Sequence, residues 1–202
     1  MKKQILAMML ALGPHGPASA GLAEGLAAYH AHQDARALKE IAPLARAGDA
    51  DAQHLLGLMY YTGRGVARDH AQAFRWHRQA ALQGKAADEY VVGAMYYTGD
   101  AVPRDEARAV AWFRKAAEQG HTDAQYALGL LVRYHVAGLP EDLVLAYMLW
   151  DRAAAGGHRN AGEQLADLAR RMTDRQRAQA QQLSRSWQPG MPLPIQLHTT
   201  TP

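Results

Sequence analysis

The chain has 202 residues, 49% of them hydrophobic and 20% charged, with no cysteine and a formal net charge of +3. The absence of cysteine excludes disulfides, thiolate metal ligands and a cysteine nucleophile. Two of the excess charges are Lys2 and Lys3, so +3 less 2 leaves +1 on the rest, and the basic balance gives no argument for nucleic acid or an anionic membrane surface as partner.

Met1-Lys2-Lys3 is followed by an apolar run from Ile5 to Leu12 and then by Ala18-Ser19-Ala20. A charged region, a short hydrophobic region and a small-residue site in that order form a secretory signal peptide, residues 1–20, with cleavage expected after Ala20. A run of about eight apolar residues is far short of the roughly 20 that a spanning helix needs. No later stretch could span a membrane, so the mature chain is expected to be periplasmic or secreted, without membrane insertion. Gly21 to His32 and Asp34 to Ala47 then predict a degenerate opening pair of helices. Ala35, Leu38, Ile41, Ala42 and Ala45 recur at helical spacing, Gly48 is placed as a left-handed cap, and Pro43, which removes a backbone donor, is expected to kink the helix.

From Asp51 onward one passage is written twice and begun a third time. Leu56-Gly57-Leu58-Met59-Tyr60-Tyr61-Thr62-Gly63 returns as Val92-Gly93-Ala94-Met95-Tyr96-Tyr97-Thr98-Gly99, and Leu128-Gly129 opens a third copy. Gly57, Gly93 and Gly129 are spaced by 36 residues, as are Trp76 and Trp112, and Asp69 and Asp105. A fixed period of this size with helical patterning inside it means stacked repeats, at about 51–84, 87–120 and 123–157, rather than one central core. In the first, a helix from Asp51 to Thr62 leads through a glycine-rich turn to a second helix from His70 to Gln83. Asp69, Asp105 and Asp142 precede the second helices and read as N-caps, not as catalytic acids. In the second repeat Asp88 stands where Ala52 and Ala124 do, which predicts a frayed first turn or a shifted start. The third repeat is one residue longer, with the insertion near Val136 to Pro140.

The unit A-x-x-x-L-G-x-x-Y-x-x-G-x-G-V-x-x-D-x-x-x-A-x-x-W-x-x-x-A-A-x-x-G resembles the Sel1-like repeat, a longer relative of the tetratricopeptide repeat. Its best copy is Ala52, Leu56, Gly57, Tyr60, Gly63, Gly65, Val66, Asp69, Ala73, Trp76, Ala80, Ala81 and Gly84. The resemblance implies an all-α fold, a right-handed superhelical solenoid of antiparallel helix pairs, and a role as an interaction scaffold. After Gly157 a closing pair of helices follows, the last opened by the capping box Thr173-Asp174-Arg175-Gln176 and ending near Trp187. The solenoid is thus expected over 21–187. Residues 188–202, with four prolines and no helical period, read as a flexible tail.

Helical arithmetic separates the faces of the first helix of each repeat. Ala52, Leu56 and Tyr60 share the packing face, where Gly57 lets the second helix approach. His54, Leu58 and Tyr61 lie roughly opposite, and their counterparts are Tyr90, Ala94 and Tyr97, then Tyr126, Leu130 and Arg133. By resemblance to tetratricopeptide geometry this second face lines a concave groove. Its tyrosines offer apolar area with a polar handle, which suits recognition; packing against the neighbouring repeat is the alternative use of the same residues. Trp76 and Trp112 read as supports on the second helices, and Met59 and Met95 as core filling.

No pattern for catalysis accompanies these residues. The histidines are scattered, His30-x-His32 lacks the spacing and carboxylate of a zinc helix, and there is no nucleophile elbow, phosphate loop or dinucleotide fingerprint. The expectation is a non-catalytic exported adaptor, with no metal and no cofactor. It would hold a peptide or protein segment on His54, Leu58, Tyr61, Tyr90, Tyr97, Tyr126, Leu130 and Arg133. A self-associating scaffold of the cell envelope is the competing expectation.

Overall fold

The structure, a computed structural model, describes residues 17–195, which contain ten α-helices, one short 3-10 turn and no strand. The signal-peptide segment through Gly16 lies outside the described residues, as does the end of the tail from residue 196. Two compact units divide the chain, residues 1–83 and 84–202.

In the first unit, α1 (Pro17–His30), α2 (Asp34–Arg46), α3 (Ala50–Thr62) and α4 (His70–Leu82) pack in chain order, each on the next. Ile41, Ala42, Ala45, Ala52, Leu55 and Leu56 form the core, closed over by Leu22, Leu38, Tyr60 and Trp76. Alanine at these seam positions keeps the backbones close, and the larger aliphatic side chains fill what remains. Pro43 does not break α2, which runs on to Arg46 with the Pro43 carbonyl accepting the Ala47 N–H at 3.0 Å. The turn between α3 and α4 is held by Arg64. Its guanidinium donates to the Asp34 carboxylate and to the Tyr29 carbonyl, each at 2.6 Å, and lies 3.7 Å above the Tyr29 ring.

In the second unit, α5 (Ala86–Thr98), α6 (Glu106–Glu118), α7 (Thr122–Arg133), α8 (Leu143–Ala155) and α9 (Ala161–Arg171) again pack in chain order, and α10 (Asp174–Ser186) packs on α8. The expected caps are present: Asp69, Asp105 and Asp142 accept the N–H of Gln72, Arg108 and Leu145 at 3.0, 2.9 and 2.9 Å. Thr173 and Gln176 form the reciprocal capping box that opens α10. Asp88 behaves differently from expectation. Helix α5 starts at Ala86, 36 residues after the start of α3 at Ala50, so the register is kept, and Asp88 is fully buried within the first turn.

The glycine of each first helix receives one large ring from the second. A Cβ on Gly57 would stand 2.9 Å from the His77 imidazole, one on Gly93 2.8 Å from Phe113, and one on Gly129 2.5 Å from Trp150. These rings can enter only because the glycines have no side chain. The extra residue of the third repeat is absorbed by the 3-10 turn Val136–Gly138, where His135 and Ala137 take left-handed φ of 56° and 58°.

Residues 188–195 have no helix, as their prolines predict, but they do not behave as a free tail. Leu193 and Ile195 are buried, Gly190 N–H donates to the Glu118 carbonyl at 2.7 Å, and Leu193 N–H donates to the Glu118 carboxylate at 2.9 Å. Arg114, paired with Glu118 at 2.8 Å, donates to the Leu193 carbonyl at 3.3 Å. A single ion pair on α6 thus satisfies both backbone groups of Leu193, and the apolar side chains gain a surface to bury against.

Candidate partner-binding cleft

The face singled out by helical arithmetic falls into two sets, one in each unit. In the first unit, Leu58 is half-buried against the core and His54 stands edge-on to His77 with ring centres 5.6 Å apart. Tyr61 is 43% exposed, but one side of its ring is covered by His70, stacked at 4.7 Å. Here His54 and Tyr61 meet rings of their own helix pair, and Leu58 meets the core shared with α2.

In the second unit the same face opens into a cleft of about 250 Å³. One wall is α5, with Tyr90, Ala94, Tyr97 and Thr98; the other is α7, with Ala127, Leu130 and Leu131; Phe113 of α6 contributes the remaining ring. Tyr90, Tyr97 and Leu130 are brought together as the spacing implies, because residues three, four and seven apart on a helix share one face. Tyr97 is 36% exposed and the Arg104 guanidinium lies 5.5 Å from its ring. The lining is aromatic and aliphatic and includes the phenols of Tyr90 and Tyr97 and the hydroxyl of Thr98, a surface suited to apolar side chains with a few polar contacts. The volume suits one or two large side chains.

Tyr126 and Arg133 do not line this cleft. Tyr126 stacks on His158 with centres 4.0 Å apart and leans on Trp150, whose indole N–H donates to the Tyr126 carbonyl at 3.1 Å. Arg133 pairs with Glu141 at 2.6 Å. Tyr90 serves both uses, since it lines the cleft and also stacks on His121 at 5.1 Å. For Tyr126 the structure therefore favours packing between successive repeats.

Sequence reasoning missed the partners in these stacks. His121 and His158 each precede a first helix, outside any face that helical arithmetic describes. Their recurrence at the repeat spacing was the available signal. His121 is the N-cap of α7, its Nδ1 accepting the Ala124 N–H at 3.4 Å. Burial holds its pKa below the ordinary histidine value, against the opposing attraction of Asp123. Burial and Asp123 together push the Tyr90 phenol up, so it stays neutral and able to donate.

A second buried acid shifts the same way as Tyr90. Glu89 accepts a hydrogen bond from Gln119 at 2.7 Å, and desolvation raises its pKa above the usual carboxylate value despite that bond. Gln53 and Gln125 occupy the equivalent places and donate to the Ala45 and Ala117 carbonyls at 3.2 and 3.3 Å.

Among the described residues, no helix is long and apolar enough to cross a membrane. A family model described as the Sel1 repeat matches residues 50–85, 86–121 and 122–158. No curated protein matches the chain. Among solved structures, a Sel1 repeat protein from Oxalobacter formigenes is 30% identical with a TM-score of 0.66, over 70% of this chain and 58% of that one. A protective antigen present in uropathogenic Escherichia coli strains, displaying an SLR fold, is 28% identical with a TM-score of 0.57, over 75% of this chain and 40% of that one. The chain thus spans about half the length of these relatives.

Proposed function

From the premise that the chain belongs to the Sel1 repeat family, whose repeats generally mediate protein interactions and are generally non-catalytic, we propose that it is an adaptor that holds a segment of another protein in the α5–α7 cleft. The observation that carries this reading is the convergence of Tyr90, Ala94, Tyr97 and Leu130 on one apolar recess. Binding is by rigid presentation: the helices fix the side chains, so little rotamer freedom is lost when an apolar anchor enters. A segment with one or two apolar anchors at its centre fits such a recess. No bond chemistry is needed, and the reading includes neither metal nor cofactor.

The test is peptide display against the immobilised protein, followed by titration of the selected peptides against wild type and the Tyr97→Ala/Leu130→Asp variant, matched for helicity by circular dichroism. We expect the variant to lose about tenfold or more in affinity, on the order of 1.4 kcal/mol. Equal affinity would remove the cleft from the function, and selection of nothing but the chain itself in a companion pull-down would shift the reading to self-association. Export is proposed on the signal-peptide pattern alone: N-terminal sequencing of protein from the periplasm should begin at Gly21, and an intact Met1 there would overturn it.

A further inference from the structure

The two walls of the cleft are joined by one aromatic contact. Tyr90 of the α5 wall stacks on His121 with ring centres 5.1 Å apart and planes 20° apart, and His121 in turn caps α7, which supplies the opposite wall. The stack tolerates either protonation state of the imidazole, but the cap needs the neutral one. With Nδ1 bare it accepts the Ala124 N–H at 3.4 Å; once protonated, both ring nitrogens carry hydrogen and Nδ1 turns a donor toward a donor. The cation would also sit at the positive end of the α7 dipole.

The neighbouring charges do not offset this. Facing His121 are the Tyr90 phenol from α5 and the Asp123 carboxylate from the first turn of α7, and Asp123 also lies 3.6 Å from His158 Nε2 in the turn after α8. From α6, Lys115 and Glu118 act electrostatically on Glu89 of α5. Burial of the ring outweighs the attraction of Asp123, and the neutral form is held to lower pH than for an ordinary histidine. The Tyr126–His158 stack repeats the ring contact, but a histidine that both stacks and caps occurs among the described residues at His121, since α3 is capped by the Asp49 carboxylate. Lys85, at the N-cap of α5, makes no side-chain cap bond, and α9 begins behind Asn160, which makes none either.

We propose that His121 is a pH-sensitive latch on the cleft, closed while the neutral imidazole caps α7 beside Tyr90 and released when protonation breaks that cap, so that partner binding weakens on acidification. The proposal rests on the cleft reading above. It adds a regulatory input: the adaptor holds its partner at neutral pH and lets it go in acid.

The experiment uses indole as probe, titrated into methyl-labelled full-length protein from about pH 7.5 down through the pH at which the His121 ring resonances themselves report protonation, which burial places below the ordinary histidine range. The shifts of the Leu130 and Leu131 methyls report occupancy of the cleft. We expect affinity to fall about fivefold or more in acid, the scale of a lost N-cap, and to become independent of pH in His121→Asn, whose amide caps α7 in any protonation state. Indole that leaves both methyls unmoved at every pH would overturn the cleft itself. Equal affinity across that range would overturn the latch while leaving the cleft, and an unchanged acid loss in His121→Asn would remove the latch from His121.

Discussion

The first and second copies of the repeat share the passage Met-Tyr-Tyr-Thr-Gly, yet Tyr61 and Tyr97 meet different neighbours. His70, at the start of α4, stacks on Tyr61; its counterpart 36 residues on is Glu106, which pairs with Arg104 instead. Tyr97 is left to wall a cleft. The difference teaches that the repeated passage fixes where a tyrosine stands, while a residue outside it decides whether that tyrosine is covered or left to line a cleft. The rings under the repeat glycines differ in the same way, His77 in the first copy and Trp150 in the third.

Removing those rings should separate the copies most strongly. Trp150→Ala is expected to cost about 3–5 kcal/mol, because it empties a fully buried site and also leaves the Tyr126 carbonyl without its 3.1 Å donor. His77→Ala should cost less, about 1–3 kcal/mol. Urea denaturation of both variants checks the order, and equal costs would mean that the copies are held alike. The turns come next. Ala101 sits at φ 65° where the first copy has Gly65 at 72°. Ala101→Gly should stabilise by about 1 kcal/mol by relieving left-handed strain. Gly65→Ala should destabilise by more, since its Cβ would also stand 2.7 Å from the Asp34 carbonyl oxygen.

The smallest effect concerns Glu89, the acid among amides. Its folded pKa is raised by burial, so the folded state prefers the protonated form. Its contribution to stability is greatest below the unfolded carboxylate range and is lost as pH rises through the folded value. Glu89→Gln should therefore raise the melting temperature at neutral pH and flatten its dependence on pH between the unfolded and folded values, bringing the second copy into line with Gln53 and Gln125. A variant that melts lower at neutral pH would show that the charge itself is needed.

The repeat period made the fold legible, because 36-residue spacing of Gly57, Gly93 and Gly129 leaves few other arrangements of helices. Helical arithmetic also placed Tyr90, Tyr97 and Leu130 on one face. It could not separate Tyr97 from Tyr126, since what covers a face is supplied by other segments: His158 arrives from beyond α8, and Phe113 from α6. Asp88 misled for a similar reason, as a small-residue position with a buried acid keeps its register when the surrounding structure can satisfy it. In residues 188–195 the prolines argued against helix, but the apolar Leu193 and Ile195 were the signal for docking.

The clasp between α6 and Leu193 bears on how this molecule comes apart. Stacked repeats held only by neighbours can lose their end units one at a time, like slats lifted from the edge of a blind. Here the Glu118 and Arg114 side chains grip a residue 75 and 79 positions further along the chain. A pull applied at the carboxyl end meets this bond before it reaches α10. Until the grip yields, the stretch between is a closed loop whose opening releases many residues at once. Rupture there should register as one large extension step rather than a staircase of small ones.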